Sequence, residues 1–335
     1  MDTLKKILSK AAFEKTEKTE SKSFINPMLA TLTDDYFDDP DWIFERKLDG
    51  VRCLVHIKKG NVYLFSRNNN DISASYPELI DALREKKLPD LWLDGEIVAF
   101  EGNKTSFSKL QNRIHLTEKK KITETKTKVY LYLFDILVYG TRDIMEVPLK
   151  SRKKLLKKII SWQSPIRYTS HRNENGTTFL EEACQKGWEG IIAKDGTAAY
   201  VSSRSRKWLK FKCSQGQELV IGGFTEPQGE RKGFGALLVG FYKEQQLHYA
   251  GKVGTGFDDD FLEKWRKKFN TIQQEESPFV NFKDSDNGNN HWIEPIYVGQ
   301  FAFTEWTKNN KLRHPRFLGI REDKEAKKVI KEKPQ

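Results

Sequence analysis

The residues with the clearest chemical potential are Lys47-Leu-Asp-Gly-Val-Arg52, which follow the apolar run Trp42-Ile-Phe44. A lysine ending one strand, a turn at Gly50 and an arginine opening the next strand can place an amine on the floor of a pocket, with Asp49 and Arg52 beside it. The same pattern is also that of a common Asp-Gly hairpin. A second run, Arg204-Ser-Arg-Lys-Trp-Leu-Lys-Phe-Lys212, alternates basic and apolar residues. On a strand this turns Lys210 and Lys212 to one face and buries Leu209 and Phe211 on the other. Two ammonium groups on one face suit a triphosphate, and Arg204 and Arg206 suit nucleic-acid phosphates; the plain alternative is a solvated edge strand. Two other patterns are set aside. Gly251–Gly256 lacks the GxxxxGK[ST] order of a phosphate loop. The six histidines (His56, His115, His171, His248, His291 and His314) show no HxH or HExxH spacing, which argues against a His-ligated metal.

Strands must position these groups, and alternating or β-branched runs predict them at Trp42–Lys47, Val51–Lys58, Val62–Ser66, Leu91–Phe100, Val129–Leu137 and Gly190–Ala193. Apolar residues three or four apart predict helices at Pro77–Lys86, Lys150–Ile160 and Phe179–Lys186. The interleaving predicts an α+β body over residues 25–213. From about Gly216 the texture changes: short strands (Glu218–Phe224, Ala236–Tyr242, Leu247–Val253, Tyr297–Thr304) alternate with glycine-rich turns around one helix, Asp258–Phe269. That pattern fits a small closed barrel of the OB type over residues 218–325, with a hinge at 214–217 and a basic tail at 326–335. Residues 1–24 read as an extension. Leu4, Ile7, Leu8 and Ala11 are spaced for one short helix and Glu14–Lys22 is a polar linker, a combination closer to a frayed tail than to a segment docked on the body or on DNA.

Composition bounds the function classes. A length of 335 residues predicts about two domains, and 21 Phe, 11 Tyr and 8 Trp are too many for a disordered chain. Lys and Arg total 58 against 47 Asp and Glu, a net charge of +11. With a pI near 9.3, this favours a polyanionic partner, nucleic acid first, although many soluble proteins are simply basic. No run approaches the ~18 apolar residues of a membrane span, and lysines interrupt the N-terminus, making it a poor secretory signal. Cys53, Cys184 and Cys213 form no CxxC pair. Their number excludes a disulfide framework and a four-cysteine zinc site and predicts a soluble protein of a reducing compartment.

Further motifs join the first two in a fixed order: Ser66-Arg-Asn68, Leu93-Asp-Gly-Glu96, Phe134-Asp-Ile-Leu137, Glu189-Gly-Ile-Ile-Ala-Lys194 and Arg321-Glu-Asp-Lys324. The set closely resembles the covalent nucleotidyltransferases, which are ATP-dependent DNA ligases, RNA ligases and mRNA capping enzymes. Pro27-Met-Leu-Ala30, Ile221-Gly-Gly-Phe-Thr-Glu-Pro227, Gly251-Lys-Val-Gly-Thr-Gly-Phe257 and Leu312–Lys324 narrow the resemblance to the ligase domain of bacterial end-joining enzymes of the ligase D type. It implies an α+β nucleotidyltransferase (adenylation) domain of antiparallel sheets with flanking helices, followed by an OB-fold β-barrel. It implies an ATP-dependent DNA ligase using Mg²⁺ or Mn²⁺, with Lys47 as nucleophile. By the same resemblance Glu45, Arg52, Arg67, Glu96, Phe134, Lys194, Lys210 and Lys212 hold the nucleotide, with Phe134 stacking on adenine and Glu45 reading its amine. Glu96 and Glu189 hold metal, Arg204 and Arg206 hold DNA, and Arg321, Asp323 and Lys324 close over the pyrophosphate. Duplex DNA with nicks or breaks, an end-binding partner such as Ku, a monomeric state and a cytoplasmic, nucleoid-associated location complete the expectation.

The chemistry is consistent with these roles. A lysine attacking phosphorus must be uncharged, yet a free lysine titrates near ~10.4. Crowding by Lys210, Lys212 and a metal ion is the expected means of lowering that value. The other readings are solvated strand-end carboxylates for Glu96 and Glu189 and a core role for Phe134. For the whole chain they are an RNA ligase, a capping guanylyltransferase, or a catalytically silent OB-based DNA-binding protein.

Overall fold

The computed structural model describes residues 2–20, 23–111, 113–114, 116–213, 215–283, 289–303 and 305–332. Ser21 and Lys22 of the expected linker, His115, Ser214 of the expected hinge, Thr304 and the last three residues of the basic tail lie outside them. The chain divides into two compact units that meet in sequence after Cys213.

The first unit opens with two short helices, α1 (Asp2–Ile7) and α2 (Lys10–Glu14), and a strand, β1 (Glu17–Lys18). Ser9 starts α2, its hydroxyl oxygen accepting from the amide of Ala12. Leu4, Leu8 and Ala12 fall four apart, and all three are buried in the unit's main core. The expectation of a frayed extension is therefore corrected. Burying two leucines contributes roughly 1.5–3 kcal/mol each, enough to hold the segment down. Part of the presumed linker pairs as β1, and Arg142 donates to the Thr16 carbonyl and lies 5.2 Å from the Phe13 ring centroid.

The rest of the unit runs β2 (Leu29–Leu32), β3 (Trp42–Arg46), β4 (Val51–Lys58), β5 (Asn61–Ser66), α3 (Pro77–Arg84), β6 (Leu91–Glu101), β7 (Lys104–Thr105), α4 (Phe107–Gln111) and α5 (Lys119–Glu124). It continues with β8 (Val129–Tyr139), β9 (Arg142–Asp143), α6 (Leu149–Ile159), β10 (Ile166–Tyr168), β11 (His171–Asn173), α7 (Gly176–Gln185), β12 (Gly190–Asp195) and β13 (Arg204–Lys212). Two mostly antiparallel sheets result. One has the order β1-β9-β8-β6-β4-β5, with β7 on β6 and β10 parallel to β8; the other has the order β11-β3-β12-β13-β2.

Side-chain alternation sets the layers. Val51, Cys53, Val55 and Ile57 of β4 enter the main core with residues of α3 and α6. Leu54 points the other way, into a cluster with Trp92, Phe134 and, from the second sheet, Trp208. Phe44, Ile191, Ala193, Leu209 and Phe211 of the second sheet pack with residues of α7, which turns Glu45, Lys194 and Lys210 toward the first sheet. Because β3 belongs to the second sheet and β4 to the first, Lys47–Gly50 is a crossing between sheets and not a hairpin. Gly50 permits the crossing: a Cβ there would stand 2.1 Å from the Ile97 carbonyl oxygen of β6.

The second unit comprises β14 (Gln215–Thr225), β15 (Leu237–Lys243), β16 (Gln246–Val253), α8 (Asp259–Asn270), β17 (Gln273–Gln274), β18 (Asn290–Phe303), β19 (Glu305–Trp306), β20 (Leu312–Arg313) and β21 (Arg316–Ile320). Its main sheet has the order β16-β15-β14-β18-β17, with β21 on β18. A register shift between Ile221 and Gly223 bends β14. Asp258 caps α8 by accepting from the Phe261 amide at 2.8 Å, and Leu262, Trp265 and Phe269 enter the core with Phe224, Phe234 and Phe301. The result is a curled half-barrel of the OB type. No helix among the described residues is long and apolar enough to cross a membrane.

The docked N-terminus makes a direct prediction. Leu4→Ala should lower the stability of the first unit by about 2–3 kcal/mol, as a buried leucine truncation does, read as a fall in thermal midpoint. A change within about 0.5 kcal/mol is the signature of a detached tail.

Candidate active site

Lys47 leaves the end of β3 at the point where the chain changes sheets. Its amide donates to the Gly190 carbonyl at 2.9 Å, and its Nζ is 2.5 Å from Glu189 Oε2. Gly190 takes φ +146°, and a Cβ there would stand 2.0 Å from the Phe211 carbonyl oxygen, so glycine alone lets β12 enter beside β13 directly after Glu189. Burial pushes the Lys47 pKa down, but Glu189 first, then Asp49 and Glu96, hold it above the ordinary lysine value. The expectation that neighbouring cations lower it is corrected: the dominant charged neighbours are carboxylates. Asp49 also anchors the segment beside it, its amide donating to Thr105 Oγ1 and its carboxylate accepting from the Phe107 amide.

Arg52 and Glu96 are direct cross-strand partners on β4 and β6. The Arg52 guanidinium forks onto Asp94, Nε to Oδ1 at 2.5 Å and Nη2 to Oδ2 at 2.6 Å, and Nη2 also donates to the Met28 carbonyl. Asp94 is wholly buried and accepts a third hydrogen bond from the Tyr200 hydroxyl at 2.6 Å. Burial lowers the Arg52 pKa, and the Asp94 carboxylate more than reverses that. The fork lays the guanidinium over the rings of Phe134 and Trp208, at 4.7 and 5.7 Å from their centroids. Two of its donors thus serve the protein, while the Nη1 hydrogens make no hydrogen bond among the described residues.

Deeper in the cleft, Glu45 is buried between two ammonium groups. Lys194 Nζ lies 2.6 Å from Oε2, and Lys153, from α6, pairs with Oε1. Burial raises the Glu45 pKa, yet Lys153 and then Lys194 bring it below the usual glutamate value. Lys194 titrates below its ordinary value through burial and the nearby Lys153, against the pull of Glu45. It lies 4.2 Å from the Phe134 ring centroid and 4.0 Å from that of Trp208. His171, opposite Glu45 in the β3–β11 ladder, falls to a pKa of about 4 through burial and the same lysines. Behind Phe134, Asp135 is wholly buried and paired in a fork with Arg152 at 2.8 and 2.9 Å.

Other expected residues lie outside this buried cluster. Arg67 follows β5 one place beyond the Ser66–Cys53 pair, alongside the start of β4. Lys210 and Lys212 are half-buried opposite Ile192 and Gly190. Arg204 and Arg206 are exposed at the opposite end of β13, where Arg204 donates to the Ala30 carbonyl. Arg321, Asp323 and Lys324 belong to the second unit: Arg321 forks onto Asp323 at 2.8 Å, and Lys324 pairs with Glu218 at 2.8 Å. Sequence reasoning assigned nothing to Lys153, Asp94, Tyr200 or Arg152. It also excluded a disulfide framework and expected a reducing compartment, yet Cys184 and Cys213, 29 residues apart, are bonded between the end of α7 and the end of β13. Cys53 alone is an unpaired thiol, and it is buried.

In chemical terms, the cleft offers an amine at its mouth, carboxylates around that amine, cations on the neighbouring strand, and an aromatic ring flanked by an acceptor-only carboxylate. Glu189 and Glu96 are hard oxygen donors at the mouth. Among the described residues no group of three or more His, Cys, Asp or Glu is placed to hold a metal. A divalent cation fits as Mg²⁺ usually does, on one or two carboxylates with phosphate oxygens completing its shell. The buried charges make a prediction. Glu45→Gln leaves two ammonium groups facing a neutral amide and should cost about 3 kcal/mol or more in stability, read by thermal unfolding. The Glu45 pKa is depressed by folding, so its contribution is complete above the unfolded value of ~4.3. It is lost as pH falls through the lower folded value, and the gap between variant and wild type should shrink only in acid.

Comparison with known proteins identifies the family. Residues 27–212 match the family described as "ATP dependent DNA ligase domain" and residues 230–324 the one described as "ATP dependent DNA ligase C terminal region". The multifunctional non-homologous end joining protein LigD of Pseudomonas aeruginosa is 35% identical over 327 residues, covering 95% of this chain and 38% of that protein. The corresponding DNA repair protein LigD of Mycobacterium tuberculosis is 32% identical over 326 residues, covering 95% and 41%. The chain thus spans about two fifths of the length of these relatives. Among solved structures, a mycobacterial DNA ligase D complexed with ATP and MES matches with a TM-score of 0.69 and 32% identity, over 92% of this chain and 98% of that one. The ligase domain of M. tuberculosis LigD matches over the same shares with a TM-score of 0.51 and 32% identity. Both units are matched in order, and the chain belongs to the ATP-dependent DNA ligase family.

Proposed function

We propose that this chain is an ATP-dependent DNA ligase that seals nicks or breaks through a lysyl-AMP on Lys47 and then an AMP–DNA intermediate. One observation carries the reading: Lys47 stands at the sheet crossing, 2.5 Å from Glu189. Its Nζ attacks the α-phosphorus of ATP; the P–N bond forms, the α–β phosphoanhydride bond breaks, pyrophosphate leaves and the amine gives up a proton. The AMP then passes to a DNA 5′-phosphate, from which the 3′-hydroxyl displaces it. Glu189 orients the amine and also keeps it protonated, so the pair must loosen before attack. A divalent cation on Glu189 and Glu96 would compete for those carboxylates and neutralise phosphate charge.

The remaining roles are those that the family resemblance implies. Phe134 stacks on the base and Glu45 accepts from its amine. Arg52 acts through its Nη1 hydrogens, and with Arg67 and Lys194 it supports the ribose, α-phosphate and base end. Lys210 and Lys212 face the phosphates, and Arg204 and Arg206 the DNA. Residues 215–217 of the expected hinge are paired strand in β14, so bending where the chain passes from the first unit to the second lets the second unit bring Arg321, Asp323 and Lys324 to the β- and γ-phosphates. End joining, an end-binding partner such as Ku, a monomeric state and a location at the bacterial nucleoid belong to the same reading and are supported by the resemblance to the end-joining relatives.

The nucleophile is tested with labelled ATP. Lys47→Ala should take up no label yet retain part of the sealing of a pre-adenylated nick; a labelled variant rules Lys47 out. The closing motif is tested by splitting the half-reactions. Lys324→Ala and Asp323→Ala should slow self-adenylation by about 10²-fold or more, the scale of a lost charge-stabilising group, and largely spare sealing of pre-adenylated DNA. Equal losses in both assays contradict the closure mechanism and point to folding or DNA docking.

A further inference from the structure

A single ammonium group ties together the two residues assigned above to the nucleotide base. Lys153 reaches from α6 into the cleft and is buried. Its Nζ pairs with Glu45 Oε1 and donates to the carbonyls of Thr169 at 3.1 Å and Phe134 at 3.4 Å. An ammonium has three hydrogens, so these contacts use all of them and leave none for a ligand. Lys194 holds the other Glu45 oxygen and lies over the Phe134 ring. An ionised carboxylate accepts hydrogen bonds and donates none. Glu45 clamped in this way favours an amine on the base and opposes a carbonyl oxygen, which is how adenine and guanine differ at position 6. Unused hydrogen-bonding capacity surrounds it: His171 Nδ1 and Thr169 Oγ1 are buried without a hydrogen-bond partner among the described residues.

We infer that Lys153 is a positioning residue for base selection, holding the Glu45 carboxylate in one geometry that restricts the pocket to purines carrying a 6-amino group. The inference rests on the ligase reading and on Glu45 and Phe134 facing the base, and it adds a residue that itself touches no nucleotide. The role differs from bulk structural support because its loss should fall on one functional group of one substrate.

The test uses the full chain and two labelled probes, ATP and purine riboside triphosphate, which lacks the 6-amino group. In Lys153→Met the KM for ATP should rise about tenfold, the scale of a weakened charge-assisted hydrogen bond, while kcat for adenylation stays within about threefold. The KM for purine riboside triphosphate should not change. A KM rise shared by both nucleotides, or absent from both, overturns the inference. The wild-type chain gives a second measurement that needs no variant: its KM for ATP should be at least about tenfold lower than for purine riboside triphosphate, and parity overturns the inference whether or not Lys153→Met folds. A wild-type chain that takes no label from ATP overturns the ligase reading and this inference with it, whereas label from ATP with equal KM shifts overturns this inference alone.

Discussion

The crossing of Lys47–Gly50 from one sheet to the other is the constraint on which the site depends. A hairpin would have placed Lys47 on a solvated turn. The crossing places it between two sheets, with Glu189 reaching it from the second sheet and Glu96 acting on it from the first. It is possible only because Gly50 presses against the Ile97 carbonyl and Gly190 against that of Phe211. These two glycines are geometric requirements of the cleft, since any side chain at either position would force the strands apart.

Around that crossing, the cleft is organised by charges that hold one another. Asp94 fixes Arg52 over Phe134, Asp135 fixes Arg152 behind it, and Lys153 and Lys194 fix Glu45 at its edge. Each of these acids is almost wholly buried, where an unpaired charge is strongly unfavourable. The network therefore contributes definition more than net stability, giving each ring and carboxylate one allowed orientation. A nucleotide entering such a site meets groups already oriented, which lowers the cost of ordering them during reaction.

Much of this was legible in the sequence because it is written in local periodicity. The alternation of Val51–Lys58 marks a strand, and that of Trp208–Lys212 places Lys210 and Lys212 opposite Leu209 and Phe211, as found. The order of the motifs carries the family. The remainder depended on distances that periodicity does not encode. Lys153 lies in a helix rich in lysine, Leu-Lys-Ser-Arg-Lys-Lys-Leu-Leu-Lys-Lys-Ile; its spacing from Leu149 and Leu156 puts it on the buried face, but nothing local says what its ammonium meets there. The Lys47 pKa is set chiefly by Glu189, far away in sequence, and the Cys184–Cys213 bond joins a helix end to a strand end. The N-terminal segment shows the reverse case: its helical spacing was visible, but its partner surface was not.

The central claim is that the sheet crossing makes Lys47 the acceptor of AMP, and peptide mapping tests it most directly. The chain is incubated with ATP and Mg²⁺, digested at neutral pH to protect a phosphoramidate, and read by tandem mass spectrometry. The account predicts a single adenylylated residue, Lys47. AMP on Lys194, Lys210 or Lys212 instead, or on no lysine at all, contradicts it.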